Sequence, residues 1–141
     1  MDRVLVDAPC SRLGTLRRNP DLKLRHTPDT VWELAARQAA ILQAASRLVR
    51  PGGRLVYATC SILPEENEDV VRGFLTRNTD FAEANAAEIL AAAGIGLDTG
   101  PFLRLRPDTH GTDAFLAAVL TRGQIAEPHA VPEAAEPAGS V

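Results

Sequence analysis

The chain has 141 residues, enough for one domain with a core, and its 45% hydrophobic and 23% charged content is ordinary for a soluble globular protein. No apolar stretch is long enough to cross a membrane, and Met1 is not followed by a basic and then apolar leader, so a cytoplasmic protein is expected. A net charge of -3 argues against indiscriminate coating of nucleic acid, and two cysteines fit neither a disulfide scaffold nor a four-ligand zinc site.

Arg3 to Val6 is a short run of β-branched residues and leucine that predicts a strand. Pro9 has no N–H to give to a ladder, so the strand should stop at Asp7-Ala8-Pro9. Cys10 to Asp29 is rich in Arg, Pro and Gly and reads as a long loop, a length that is usually functional or disordered. Within it Arg12, Arg17, Arg18, Lys23 and Arg25 fall close together, opposed only by Asp21. A local basic segment of this kind can contact phosphates even on an acidic protein, although charge runs are more often plain surface.

Thr30 opens the next element, with Glu33 completing a capping-box pattern. Val31, Leu34, Ala35, Ile41, Leu42, Ala45, Leu48 and Val49 then recur at helical spacing until Pro51-Gly52-Gly53 turns the chain. Arg54 to Thr59 is a second strand. Pro64-Glu65-Glu66 starts another helix, since proline suits the first helical position and acids suit the positive end, and it runs to about Asn78. Phe81 to Ala84 reads as a short strand and Ala86 to Ala93 as an Ala-rich helix closed by Gly94. Phe102 to Arg106 and Ala114 to Thr121 read as two further strands. Beyond Gly123 the Pro, Ala and Glu content predicts a disordered tail over 123–141.

A strand, helix, strand, helix order implies an α/β fold with a parallel sheet, in which ligands bind outside the carboxyl ends of the strands. Asp7, Cys10 and Cys60 all fall at that edge, in Asp7-Ala8-Pro9-Cys10-Ser11 and Tyr57-Ala58-Thr59-Cys60-Ser61. If the two strands are neighbours, both thiols and the carboxylate meet in one crevice. A single buried cysteine is usually an inert small hydrophobe. Two at equivalent strand ends, each in a polar turn, point instead to chemistry. Cys60 also lies just before the Pro64 helix, a placement that can lower a thiol pKa, with Glu65, Glu66 and Glu68 pushing the other way. The cysteines form no Cys-x-x-Cys motif. His26, His110 and His129 are scattered without ligand spacing, so no metal is expected and each histidine reads as ordinary surface.

The stretches "DAPCSRLGTLRRNPDLKLR" and "YATCSILPEENEDVV", followed by "LRLRPDTHGTDAFLAAVLTR", resemble in order and spacing the RNA cytosine-5 methyltransferases of the Sun/Fmu (RsmB-type) family. The resemblance covers about residues 3 to 122. Leu24 departs from it, standing where an aromatic is common, as do Ala114 and Leu116, where Gly and Phe are usual. It implies a Rossmann-like class I methyltransferase fold with a mostly parallel sheet, flanking helices and an antiparallel final strand.

The resemblance also implies roles. Cys60 would be the nucleophile that adds to C6 of the target cytosine, making C5 able to take a methyl group from S-adenosyl-L-methionine. Cys10 would help remove the C5 proton so that the product is released. Asp7 would hydrogen-bond the cytosine edge, Pro9 would shape the pocket wall, and Asp7 and Pro9 would border the cofactor. The base must leave its stack, which favours single-stranded or loop RNA, ribosomal first and transfer RNA second. Arg12, Arg17, Arg18, Lys23 and Arg25 would then hold phosphates.

The family's Gly-rich cofactor turn and the acids of its early strands are not in the sequence, which opens on what would be the fourth strand. Residues 1–122 are therefore expected to be the C-terminal half of a catalytic domain, inactive alone if the cofactor site is incomplete. Its unpaired sheet edge would invite self-association or pairing with a complementing segment. Two other readings stand beside this one: a non-catalytic fragment that binds RNA or a partner, and a thiol redox protein.

Overall fold

The computed structural model describes residues 1–97 and 99–124, Lys23 by its backbone alone. The disordered tail expected from the sequence falls, from residue 125 on, outside the described residues. Among the described residues five strands and four α-helices follow in the order β1 (Arg3–Asp7), α1 (Pro28–Ser46), β2 (Arg54–Thr59), α2 (Glu68–Arg77), β3 (Phe81–Ala84), α3 (Ala86–Ala92), β4 (Leu103–Leu105), α4 (Pro107–His110) and β5 (Phe115–Arg122).

They form one sheet in the order β1-β2-β5-β3, with β4 pairing the same side of β5 as β3, beyond it along the strand. β1 and β2 are parallel neighbours, from Arg3 opposite Arg54 to Asp7 opposite Ala58. β5 runs antiparallel to β2, β3 and β4. Four strands thus share one direction and only the last opposes them, as the sequence reading expects.

Residues alternate across the sheet as strand geometry requires. Val6, Leu55, Tyr57, Ala118 and Leu120 are buried on one face with Leu42 and Val49 at α1 and Val70, Val71 and Phe74 of α2. Phe74 meets Phe81 edge-on at 5.2 Å between ring centroids, tying α2 to β3. β1 has β2 as its one pairing partner among the described residues, and Leu5 on its other face is 68% exposed.

Several local expectations are corrected. The first helix begins earlier than Thr30: Thr27 is the N-cap and Pro28 the first helical residue. The capping box is Thr27 with Thr30, each side chain bonding the other's backbone N–H, because proline at Pro28 fixes the chain direction there. The long loop is not featureless. It holds two 3-10 turns, Leu13–Thr15 and Pro20–Leu24. Pro64–Glu66 is likewise a separate 3-10 turn, and α2 starts only at Glu68. Glu66 is fully buried there instead of decorating a helix end, since its carboxylate has partners inside the protein.

Candidate active site

Because β1 and β2 are adjacent and parallel, the turns that follow them lie side by side. Their thiols meet, with Cys10 Sγ 3.3 Å from Cys60 Sγ and both side chains half-buried. Burial first, and then the hydrogen bond with Cys60, push the Cys10 thiol up to about 12. Cys10 therefore keeps its proton at neutral pH, and its S–H can donate to the Cys60 sulfur.

The two turns share more than their cysteines. Each is a Cys-Ser-x-Leu tetrapeptide, and in each the serine Oγ accepts the leucine N–H: Leu13 N at 3.3 Å from Ser11, Leu63 N at 3.0 Å from Ser61. Both serines converge on the buried carboxylate of Glu66. Ser11 donates its N–H to Oε1 at 2.7 Å and its hydroxyl to Oε2 at 2.6 Å, and the Ser61 hydroxyl also donates to Oε2. Gln38 of α1 donates one amide to Glu66 Oε1 at 3.0 Å and to the Pro9 carbonyl at 2.8 Å.

Further bonds hold each turn separately. Asn67 straddles Cys60, bonding the Thr59 hydroxyl on one side and the Ser61 carbonyl, at 2.8 Å, on the other. Tyr57 donates its hydroxyl to the Glu66 carbonyl at 2.7 Å. Gly14 donates its N–H to the Cys60 carbonyl at 2.8 Å and accepts from Ala114 N at 2.9 Å, so the basic loop is pinned between the Cys60 turn and the start of β5. His26 is half-buried rather than a free surface residue. Its Nε2 lies 2.9 Å from the Ser11 carbonyl, which can only accept, so Nε2 carries the proton.

The remaining sequence candidates are dispersed. Asp7 ends β1 exposed to solvent, with no side-chain hydrogen bond to a described residue, and Pro9 is exposed beside it. The thiols converge as the sequence suggests, whereas no hydrogen bond joins the Asp7 side chain to them. In the basic loop Arg18 bonds Asp113 at 2.6 Å and Arg17 approaches the same carboxylate at 3.6 Å while bonding the Gly111 carbonyl. Arg18 holds the Asp113 carboxyl below the usual carboxylate range. Arg25 pairs with Asp21 at 2.5 Å, and Lys23 lies in the Pro20–Leu24 turn. Arg12 is exposed without an ion pair to a described residue, and its φ of 64° is the one positive value outside glycine among them. Such strain on a non-glycine residue gathers at functional sites.

A cleft of about 430 Å³ opens beside Ser61, with apolar walls from Leu16, Ile62 and Phe115 and a rim of Arg17, Arg104 and Arg106. Arg104 pairs with Glu68, and Arg106 with Asp108 at 2.9 Å. Among the described residues no group of His, Cys, Asp and Glu is placed to hold a metal ion, and no helix is long and apolar enough to cross a membrane.

Sequence reasoning singled out neither Ser11 and Ser61 nor Gln38, Glu66, Asn67 and Gly14. The repeated Cys-Ser-x-Leu was the legible signal for the serines, and Pro-Glu-Glu-Asn carried Glu66 and Asn67 as part of a motif without showing what they touch.

Comparison with known proteins follows the same elements. The family model for "16S rRNA methyltransferase RsmB/F" matches residues 1–121. A ribosomal RNA small subunit methyltransferase B of Salmonella newport is 53% identical over 81 residues, 57% of this chain and 19% of that protein. A putative methyltransferase of Mycobacterium tuberculosis is 45% identical over 121 residues, 86% of this chain and 26% of that one. Among solved structures, NSun6 from Pyrococcus horikoshii, crystallised with SFG, superposes with a TM-score of 0.69 at 28% identity, over 86% of this chain and 30% of that one. A methyltransferase homologue from the same organism gives 0.64 at 32% identity, over 86% of this chain and 39% of that one. The chain spans about a quarter or less of the length of these sequence relatives.

Proposed function

Since the chain belongs to the 16S rRNA methyltransferase RsmB/F family, we propose that it carries the base-handling half of a site that methylates C5 of cytosine in RNA. Its fold is the Rossmann-like α/β sheet of Sun/Fmu methyltransferases, with the final strand antiparallel. The observation that carries the reading is the pair of thiols 3.3 Å apart at the carboxyl ends of adjacent parallel strands. One cysteine would suffice for a nucleophile; a second in contact with it suits a reaction with two thiol-dependent steps.

In this reading Cys60 attacks C6, forming an S–C6 bond and giving C5 the electron density of an enamine. Burial disfavours a thiolate on Cys10, which suits Cys10 poorly to the attack and leaves that role to Cys60 in this reading. S-adenosyl-L-methionine, of which the SFG in the NSun6 structure is an analogue, supplies the methyl group when bound. Cys10, once it has passed its own proton to solvent, then takes the C5 proton; the electrons of the C5–H bond form C5=C6, those of the S–C6 bond return to the Cys60 sulfur, and the base regains its aromatic ring. Once Cys60 is bonded to carbon its sulfur carries no negative charge, so the repulsion from Cys60 that helps raise the Cys10 thiol disappears at the step where Cys10 must act as a base.

Asp7 and Pro9, exposed beyond β1, fit the border of the methyl donor or the cytosine edge, since the Asp7 carboxylate has no other side-chain partner among the described residues. The described residues fit only that border of the donor. The pairing edge of β1 is where a complementing segment, or a second copy of the chain, would add. Ribosomal RNA of the small subunit is the substrate that the family suggests. The target base would enter from the thiol side, its neighbour would rest in the Arg-rimmed cleft beside Ser61, and Arg12 with the Arg17–Arg25 loop would face phosphates.

RNA containing 5-fluorocytosine tests the reading. Covalent capture that disappears in Cys60→Ala supports it, and Cys10→Ala should leave an adduct stuck on ordinary RNA. No capture by wild-type protein in the presence of S-adenosyl-L-methionine and the rest of the catalytic domain refutes it. A non-catalytic RNA- or partner-binding module of the same fold is the second reading, favoured by the Arg-rimmed cleft beside Ser61, which needs no methyl donor to bind. Methylation of RNA by the chain combined with the rest of the catalytic domain, lost in Cys60→Ala, separates the two.

A further inference from the structure

Glu66 is 0% exposed, lies outside the proposed chemistry, and accepts three hydrogen bonds from the turns that carry the two thiols and a fourth from Gln38 of α1. A buried carboxylate is costly unless it is fully hydrogen-bonded, and this one accepts four such bonds. Their distribution is uneven. Cys60 has supports that do not pass through the Glu66 carboxylate: Asn67 on both sides of it and Gly14 on its carbonyl. The residue after Cys10 gives both its N–H and its hydroxyl to Glu66, and its other ties are longer or indirect: the Ser61 hydroxyl at 3.3 Å, the Leu13 N–H at 3.3 Å, the His26 contact with its carbonyl and the Gln38 bond to Pro9.

We propose that Glu66 is a positioning residue that holds Cys10 against Cys60, acting through Ser11. This deepens the proposed function and rests on it for its catalytic meaning. Cys60 keeps its place without the Glu66 carboxylate and can still capture a base. Cys10 does not, and the step that depends on Cys10, release of the methylated base, is the one that fails.

Phenylarsine oxide reads the apposition of the thiols without RNA. It condenses with two thiols, forming two As–S bonds and releasing one water, and binds tightly only when both sulfurs are held together. Glu66→Gln and Ser11→Ala should each weaken its capture about tenfold, the effect of losing one hydrogen bond to a charged group. The double variant should be no worse than either single one, because the two residues act as one device. Leu120→Val, which loosens the core at the opposite end of β2, should leave capture unchanged.

Capture within about twofold of wild type in Ser11→Ala and Glu66→Gln overturns the proposal, as does an equal loss in Leu120→Val or a fully additive double variant. If Glu66→Gln does not fold, Ser11→Ala decides alone. On RNA, Glu66→Gln should still capture 5-fluorocytosine but accumulate adduct on ordinary cytosine. Wild-type protein that captures no RNA would refute the methyltransferase reading and leave the arsenical result to judge the clamp. Normal RNA capture and release in Glu66→Gln would overturn the clamp and spare that reading.

Discussion

Replacing Gly14 with alanine should be among the most damaging single-methyl additions to this chain. A Cβ on Gly14 would lie 2.5 Å from the Cys60 carbonyl oxygen and 2.6 Å from that of Ala114, where non-bonded heavy atoms prefer about 3.5 Å or more. Both obstacles are backbone atoms, so no side chain can swing aside. Relief requires the loop to move off the Cys60 turn and the start of β5, breaking the bonds from Gly14 N to Cys60 O and from Ala114 N to Gly14 O. Overpacking costs about 1–3 kcal/mol and each lost hydrogen bond about 0.5–1.5 kcal/mol, so the total is about 2–6 kcal/mol. Against a domain stability of about 5–15 kcal/mol this is a large fraction. Urea unfolding of wild type and Gly14→Ala, followed by circular dichroism, gives the difference directly. Gly96→Ala is the control, because nothing lies within 4 Å of a Cβ there, and it should change stability by less than about 0.5 kcal/mol. A Gly14→Ala chain that unfolds at the wild-type urea concentration would refute the close packing of loop, thiol turn and final strand.

The raised Cys10 pKa makes stability fall as pH rises from the ordinary thiol value of 9.0 towards 12, because the unfolded thiol ionises before the folded one. The urea midpoint should drop across that window, and Cys10→Ala should show a shallower drop. Asp113→Asn releases Arg17 and Arg18, so trypsin should cleave after these residues faster than in wild type. Unchanged cleavage would mean that Asp113 does not tether the loop. Thr27→Ala removes the cap of α1 and should cost about 1 kcal/mol, while Glu33→Ala, outside the observed capping box, should cost less than about 0.5 kcal/mol in the same melt.

What the sequence revealed and what it hid divide along the range of the forces involved. β1 and β2 were legible because apolar runs bounded by Pro9 and by Gly52-Gly53 are local signals, and their pairing brings Cys10 to Cys60 as the chain order suggested. The start of α1 was misread because Thr30 and Glu33 make as good a local capping box as Thr27 and Thr30. The proline between the latter pair settles it only when the chain direction is known. The basic loop looked like free positive charge, yet Arg17 and Arg18 lean on Asp113, which no local pattern could reveal. Glu66 was the largest misplacement. Acids after a proline usually decorate a helix end, and only the folded sheet shows that two serines and a glutamine converge on it.

The order of strands in the sheet bears on how the chain reaches this state during synthesis. β5 is the last strand made among the described residues, yet it lies between β2 on one side and β3 and β4 on the other. Until residues 115–122 have left the ribosome, β2 lacks its neighbour on the side away from β1, and β3 and β4 lack the strand they pair with among the described residues. Pairing residues 54–59 with 116–121 requires closing a long loop, which makes folding slow. Nascent chains should therefore spend their vulnerable interval with apolar strand surface uncovered and depend on chaperones until the terminus is free. A stop codon just before Phe115 would remove the middle of the sheet rather than its end, and few truncations of comparable length would be worse tolerated.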